Sequence, residues 1–499
     1  MDILLSAFNE LFAVKTIILL LIGSLIGLVF GSIPGLTATM GVAILLPVTF
    51  SFTATEGLML LVGVYVGGIS GGLVAATLLG IPGTPSSIAT TFDAYPMAQK
   101  GEPVRALGIG IIASLVGGII GFVFLISAAP LIASMAVKLS PFDYAALTFL
   151  ALGLISVLSR GNVIKGIASG FIGLAISLVG FAPIDGTARF TFDNIYLSSG
   201  IQLLPLMMGL FAIAIILIAV QEKEVKKEIE FKVKGVGISI KEFFSNTWNM
   251  VRSAVIGVGF GILPGMGSGV SNLVAYAQAQ QASKESNEFG KGNPEGIFAS
   301  ESSNNASIGG ALIPMLALGI PGDTVTAMLL GGFVIHGIQP GPLLLRQNPD
   351  IVYVVFVGFF FAILIVFLMQ IFGMRVFPQI LKTPKNYLYS ILIVLAVVGA
   401  YSNGNNVFDI WIMLVFGLVG YVLTRNNYPL APLILGFVLG PLFEQYLRRA
   451  LMNAEYGVWE FFMRPVSAVL IIVTLVVIGV TVFKEFKRAK ENREAKKAA

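Results

Sequence analysis

Four Pro-Gly pairs interrupt apolar stretches of this chain, and short polar residues follow each pair. The pairs are Pro34 with Gly35, Pro82 with Gly83, Pro264 with Gly265, and Pro321 with Gly322. Proline lacks a backbone donor and glycine adopts conformations that other residues avoid, so each pair predicts the end of one helix and the start of another. Such backbone is tolerated at membrane depth only where protein buries it or where it lines a wet cavity.

The polar residues after these pairs are suited to anion binding. They are hydroxyl and amide side chains: Thr37, Thr84, Ser86, Ser87, Ser268, Asn272 and Thr324. The N–H groups at a helix start carry roughly half a positive charge, so they can hold a carboxylate without a lysine or arginine. Carbonyl groups released by the same unwinding could coordinate a cation such as sodium. Kinks that serve helix packing alone are the alternative, but four kinks in matched positions favour a binding site.

Four titratable residues are candidates for ion coupling. Asp93 and Asp323 are the acidic residues nearest to the pairs, and Glu301 lies in the polar stretch "EGIFASESSNNASIGGALIPM". An intramembrane carboxylate is by default a candidate proton relay or cation ligand, which includes a sodium site near Asp323. Capping of a helix is the alternative for each carboxylate. His336 could titrate near neutral pH, although a solitary histidine is more commonly a packed residue at a helix end.

Three further polar residues accompany Glu301 and are candidate substrate ligands. They are Ser302, Asn304 and Asn305. Polar side chains facing lipid would be costly, so we expect most of them to face the protein interior or a cavity. Glu301 and Asn305 are four positions apart and share a face if this stretch is helical.

The composition defines the elements that must position these residues. Of the 499 residues, 56% are hydrophobic and 11% are charged, and apolar runs recur from end to end. An apolar chain without regular strand alternation predicts an all-α polytopic membrane protein, with roughly ten to thirteen spanning helices of about 20 residues. The clearest spans cover 14–31, 57–80, 106–130, 142–158, 163–181, 200–220, 350–373, 386–401, 408–424, 430–443 and 465–483. The first run is expected to remain a membrane helix and not a signal peptide.

Several kinds of site are excluded by residue counts. The chain has no cysteine and one histidine, so disulfides, thiolate metal sites and multi-histidine metal centres are impossible. No Walker-type loop and no catalytic cluster such as "HExxH" is present, which argues against an ATPase and against an enzyme. We expect no cofactor, with a proton or sodium as the only coupling ion.

The net charge of +5 arises mainly from two polar segments that flank apolar spans. One is the linker at 221–250, which includes Lys226 and Lys227, and the other is the C-terminal tail. The positive-inside rule places both segments in the cytoplasm, so they indicate membrane topology and not a nucleic-acid partner.

The chain repeats the same motifs in the same order on both sides of the linker. "FGSIPG" and "LLGIPGTPSS" in the first half correspond to "FGILPG" and "ALGIPGDTVT" in the second. The predicted organisation is an N-terminal repeat (1–220), a cytoplasmic linker (221–250), a C-terminal repeat (251–460), and an added helix with a basic tail (461–499). We expect the halves to be inverted relative to one another.

The motifs resemble those of the large membrane subunit of the tripartite tricarboxylate transporters. The resemblance rests on "GSIPGLTATMGVAILLPVTF", "GIPGTPSSIATTFDAYPMAQKG", "LPGMGSGVSNLVAYA" and above all "PEGIFASESSNNASIGGALIPMLALGIPGD" followed by "HGIQPGPLL". It implies a permease of the bacterial inner membrane that works with a small membrane subunit and a periplasmic solute-binding protein. It also implies uptake of a carboxylate driven by a proton or sodium gradient. The alternative is a passive carboxylate channel without ion coupling, and citrate, tartrate, other dicarboxylates and aromatic carboxylates all remain candidate substrates.

Overall fold

The structure, a computed structural model, describes residues 2–158, 163–221, 237–377 and 385–498. Lys226 and Lys227 of the predicted linker lie outside the described residues. Helices α1 to α12 are Asp2–Leu11, Val14–Ser32, Ala38–Leu45, Ala54–Leu79, Ile88–Gln99, Pro103–Ala136, Pro141–Leu158, Val163–Ser177, Ile195–Ser198, Leu203–Met208, Ala214–Ala219 and Ile240–Ser245. Helices α13 to α23 are Thr247–Ile262, Gly267–Ala282, Pro294–Leu318, Thr324–Ile335, Leu344–Gln347, Pro349–Gly373, Lys385–Gly404, Val407–Arg425, Leu430–Met452, Glu460–Met463 and Pro465–Ala498.

The remaining regular elements are short. Strands β1 (Gly180–Phe181) and β2 (Ala188–Arg189) form one antiparallel hairpin. Turns of 3-10 helix cover Pro47–Ser51, Pro85–Ser87, Ser286–Glu288 and Gly457–Trp459, and a π-helical turn, Gly209–Ile213, joins α10 to α11.

Seven of the described helices are long and apolar enough to cross a membrane: α2, α4, α6, α18, α20, α21 and the part of α23 at Pro465–Phe483. Shorter apolar helices accompany them, among them α7, α8 and α16. The predicted all-α polytopic membrane class is confirmed, and the chain is a multi-pass membrane protein. Helix α6 is longer than the span predicted at 106–130, and the span predicted at 200–220 is divided by the π-helical turn.

Helices α4 and α15 are the two central helices, because nearly every residue along each of them is buried. Helix α4 starts with a capping box between Thr53 and Glu56, and the Asn293 side chain caps α15. Both helices end at a glycine in the left-handed conformation, Gly80 with φ 65° and Gly319 with φ 73°. Only glycine adopts this conformation without strain, so each central helix stops just before its Pro-Gly pair.

A neighbouring helix approaches each central helix through glycines at corresponding positions. A Cβ atom on Gly31 of α2 would lie 3.0 Å from the Cα of Gly71 in α4. A Cβ atom on Gly261 of α13 would lie 2.9 Å from the Cα of Gly310 in α15. Helices α2 and α13 therefore reach their Pro-Gly pairs packed backbone to backbone against α4 and α15. The domain boundaries and the inversion of the halves stay predictions.

Ion pairs attach the β-hairpin to the C-terminal part of α21. Arg189 lies 2.7 Å from Glu444, and Arg448 lies 2.9 Å from Asp185. Hydrogen bonds from Thr187 and then from Arg448 lower the pKa of the Asp185 carboxyl to about 2, because they stabilise its charged form. The hairpin is thereby fixed to the end of a membrane helix.

Candidate functional site: four helix breaks that meet

Each Pro-Gly pair lies in a break between two helices, as predicted. Break 1 (33–37) joins α2 to α3, break 2 (80–84) joins α4 to the turn before α5, break 3 (263–266) joins α13 to α14, and break 4 (319–323) joins α15 to α16. The proline of each pair cannot donate the hydrogen bond that would continue the helix. Four new helix starts therefore lie inside the bundle.

Within each half, the two breaks pack directly against one another. A Cβ atom on Gly83 of break 2 would lie 2.1 Å from the carbonyl oxygen of Gly31, at the end of α2. Gly265 of break 3 donates its backbone N–H to the carbonyl oxygen of Gly322 in break 4 over 2.7 Å. Close contact of backbone with backbone explains why these positions are glycine.

Between the halves, residues next to the breaks make two further contacts. The hydroxyls of Thr39 in α3 and Thr324 in α16 lie 3.1 Å apart. The amide of Asn272 in α14 donates to the carbonyl oxygens of Pro85 and Ser86, at the start of α5. Break 1 or its flanking residues therefore contact breaks 2 and 4, and break 3 or its flanking residues contact the same two. The four breaks thus form a closed ring of contacts. We call this arrangement the break ring.

The four helix starts differ in how they are capped. The side chain of Thr37 accepts the N–H of Met40 in α3, and Thr84 and Ser87 form a capping box before α5. Asp323 and Thr326 form a capping box on α16. Helix α14 has no side-chain cap, and its first turns carry the buried side chains of Ser268 and Asn272. The Asn272 Oδ1 atom is buried without a hydrogen-bond partner, so one hydrogen-bond acceptor is unpaired near this helix start.

Asp323 connects three helices at the ring. Its Oδ1 accepts the N–H of Thr326 over 2.7 Å and the hydroxyl of Thr326 over 2.9 Å. Its Oδ2 accepts the hydroxyl of Tyr65, in α4, over 2.6 Å. A Cβ atom on Gly267, at the start of α14, would lie 2.7 Å from the Asp323 Cβ. The carboxylate therefore lies at the positive end of α16 and beside that of α14.

Tyr65 is not among the predicted site residues. Its only signal in the sequence is that it is the one tyrosine of a largely apolar helix, because a buried tyrosine hydroxyl normally requires a partner.

The polar stretch of α15 forms a second polar cluster, centred on Glu301. The carboxylate accepts the hydroxyl of Thr90 in α5 over 2.6 Å and the hydroxyl of Ser114 in α6 over 3.1 Å. Asn305 donates to the Ser114 hydroxyl over 2.8 Å and to the Glu301 carbonyl over 3.2 Å. Glu301 and Asn305 therefore share a face, as their spacing predicted.

The other candidates of this stretch are equally buried. Ser302 donates to the carbonyl oxygen of Ala113 over 3.2 Å, and the Asn304 carbonyl accepts the hydroxyl of Ser307 over 2.7 Å. None of these side chains is exposed, so the polar surface of α15 faces the interior.

Asp93 and His336 lie outside these two clusters. One oxygen of Asp93 accepts the N–H groups of Gly290, Gly292 and Asn293, and the other accepts the Tyr276 hydroxyl. Asp93 thereby fixes the loop that leads into α15. His336 directly follows α16 as its C-cap, and its Nε2 is buried without a hydrogen-bond partner, 2.7 Å from where a Cβ atom on Gly57 would lie. No group of three or more metal-ligating His, Cys, Asp or Glu residues occurs in the part of the chain that the structure describes.

Discontinuous helices that meet within a bundle of membrane helices are the architecture of a membrane transporter. The chain belongs to the tripartite tricarboxylate transporter TctA family, whose family model matches residues 17–435. It is therefore a tricarboxylate transporter subunit, and the resemblance found in its motifs is confirmed.

Two relatives come from Agrobacterium vitis. The chain is 33% identical over 470 residues to an uncharacterized 52.8 kDa protein in the TAR-I ttuC' 3' region, which covers 94% of both chains. It is 36% identical over 211 residues to an uncharacterized protein in the TAR-II ttuC' 3' region, which covers 42% of this chain and 87% of the relative. No solved structure matches the chain.

Proposed function

We propose that this chain is the large permease subunit of a binding-protein-dependent secondary transporter. It imports tricarboxylates or related carboxylates together with a proton or a sodium ion. The observation that carries this proposal is the uncapped start of α14 inside the break ring. Family membership supports the substrate class.

The start of α14 is suited to a carboxylate that must be released again. Its first N–H groups have no side-chain cap, and the buried hydroxyl of Ser268 adds a further donor. The break residues include no lysine or arginine, so the anion would be held by dipoles and neutral donors alone. Such a site binds more weakly than a fixed ion pair, which favours turnover.

The capping pattern explains why α14, and not α16, is proposed to hold the substrate. Helix α16 already holds the carboxylate of Asp323 at its start. The N–H of Thr326 in α16 already donates to the Asp323 carboxylate, so it is not free for a second anion. Asp323 instead supplies negative charge beside the ring. This charge, together with the backbone carbonyls freed at the breaks, would attract a coupling cation.

The partners and location follow from the family and from the charge distribution. The proposed partners are a small membrane subunit and a solute-binding protein that delivers the carboxylate. We place the chain in the bacterial inner membrane, with the 221–250 linker and the basic tail in the cytoplasm.

Transport assays in proteoliposomes test this function. Vesicles that contain the complete transporter are loaded with unlabelled citrate, tartrate or another candidate acid, and entry of the labelled acid is followed. A carrier shows trans-stimulated exchange, whereas a passive channel does not, and its absence would contradict the proposal.

Two variants and one control locate the substrate. Asn272→Asp places a negative charge beside the start of α14, so uptake should be lost, and Ser268→Ala should weaken it. Ser169→Ala removes a buried, unpartnered hydroxyl of α8 and serves as the control. Normal uptake by Asn272→Asp would contradict a substrate site at α14.

A further inference from the structure

Glu301 lies in a fully buried polar cluster that the proposed substrate site does not use. Its side chain has no exposed surface, and its contacts come from neutral donors on three helices: Thr90 on α5, Ser114 on α6 and Asn305 on α15. Close packing produces this arrangement, because a Cβ atom on Gly117 of α6 would lie 2.1 Å from the carbonyl oxygen of Ser302. The carboxyl is therefore enclosed without a cationic side chain among its hydrogen-bond partners.

The charged groups on the surrounding helices have other partners. Asp93 on α5 is bonded to the loop at 290–293, and Arg105 on α6 pairs with Glu102 and Glu242. On α13, Arg252 donates to Asn249. Tyr276 on α14 bonds to Asp93, and Tyr65 on α4 bonds to Asp323.

A buried carboxylate without a compensating charge is costly, because low-dielectric surroundings penalise its ionised form. Binding of a cation, either a proton or a metal ion, to the Glu301 carboxylate is therefore favoured. The three contacts to its carboxyl come from O–H and N–H donors, and the Asn305 Oδ1 already accepts the Ser70 hydroxyl over 2.6 Å. A proton requires one hydroxyl to turn and accept a hydrogen bond. A metal ion would need both hydroxyls to turn, and Asn305 could not be its ligand, because the N–H₂ group of Asn305 faces the carboxyl.

The Ser114 and Asn305 side chains also border a cavity. A small cavity between α4, α6, α15 and α18 is lined by Ser70, Ser114, Asn305 and Gln370, together with apolar residues. Gln370 donates to the Ser70 carbonyl over 3.0 Å, and its Oε1 atom is buried without a partner. Ser114 both borders the cavity and donates to Glu301, so its hydroxyl links the cavity to the carboxyl. A hydroxyl can accept one proton and donate another, so Ser114 can pass a proton from the cavity to the carboxylate.

We propose that Glu301 is the binding site of the coupling proton, and that the cavity lined by Gln370 and Ser70 is its access route. This assignment rests on the proposed function and narrows it, because the coupling ion is then a proton and not sodium. In the neutral form Glu301 has no charge to desolvate, so the substrate-loaded protein can change conformation with this carboxyl buried. Symport then requires the proton to leave Glu301 toward the cytoplasm after the change of conformation.

The test separates ion-driven accumulation from exchange. Proteoliposomes with the complete transporter receive an imposed pH gradient or an imposed sodium gradient, and labelled citrate or tartrate is measured. Glu301→Gln resembles the protonated side chain, so it should lower proton-driven accumulation about tenfold or more while exchange continues. Glu295→Gln, on the first turn of the same helix, is the matched control. Gln370→Leu should slow proton-driven uptake several-fold, and it decides the question if Glu301→Gln fails to insert.

Two results would overturn the assignment of Glu301 without affecting the proposed function. One is normal proton-driven accumulation by Glu301→Gln, or by Gln370→Leu if Glu301→Gln fails to insert. The other is accumulation by the wild type under a sodium gradient with no effect of pH. Absence of exchange of any candidate acid by the wild type would instead overturn the proposed function, and this assignment with it.

Discussion

Replacement of Gly261 by alanine tests the packing that positions the breaks. The added Cβ would lie 2.5 Å from the carbonyl oxygen of Ser307, about 0.9 Å short of the 3.4 Å at which ordinary contact begins. The neighbour is backbone of the central helix α15 and cannot rotate away. Overpacking of this kind costs roughly 1–3 kcal/mol.

Gly259 offers a matched control two positions earlier in the same helix. A Cβ atom there meets nothing within 4 Å. Both substitutions gain about 0.5–1 kcal/mol from the higher helix propensity of alanine. The difference between the two variants therefore isolates the close approach, at roughly 1–3 kcal/mol.

The free energy of unfolding can be measured by titration with denaturing detergent in mixed micelles, with uptake as the second measurement. Gly261→Ala should be less stable than Gly259→Ala and should also transport less, because the Gly261 carbonyl lies against Gly322 in break 4. Equal stability of the two variants would refute the backbone contact between α13 and α15.

Three further predictions concern charged residues. Asp323→Asn keeps the shape of the cap on α16 but removes the charge, so uptake should fall while membrane insertion is retained; normal uptake would exclude a role for this charge. Asp93→Asn should lower the free energy of unfolding by roughly 1.5–3 kcal/mol, measured by the same detergent titration, because a charged acceptor of several hydrogen bonds is lost. An unchanged value would show that the loop before α15 is held by other contacts. Replacement of Lys226 and Lys227 by glutamine should leave uptake in vesicles nearly unchanged, and a severe defect in correctly inserted protein would contradict substrate binding by helix starts.

The positions of the breaks could be predicted from single residues. Proline removes a donor wherever it stands in a helix, and Gly80 and Gly319 end the central helices in a conformation that suits glycine. These effects are local, so a short stretch of sequence is enough to predict them. The shared face of Glu301 and Asn305 is predictable for the same reason, because it follows from helix periodicity.

The partners of the breaks could not be predicted in this way. Thr39 and Thr324 are 285 positions apart, and Tyr65 and Asp323 are 258 positions apart. Such contacts depend on how whole helices pack, and no periodic pattern specifies them. Asp93 is a similar case, since its backbone partners belong to a loop about 200 positions away.

Substrate protection of a single cysteine tests most directly whether the break ring holds the substrate. The chain has no cysteine, so Ser268→Cys introduces one thiol at the start of α14, and Ser283→Cys introduces one at the end of the same helix as a control. In vesicles that transport the acid, saturating substrate should slow labelling of the cysteine at 268 by a water-soluble thiol reagent and leave labelling at 283 unchanged. Labelling at 268 that saturating substrate does not slow would contradict the placement of the carboxylate at α14.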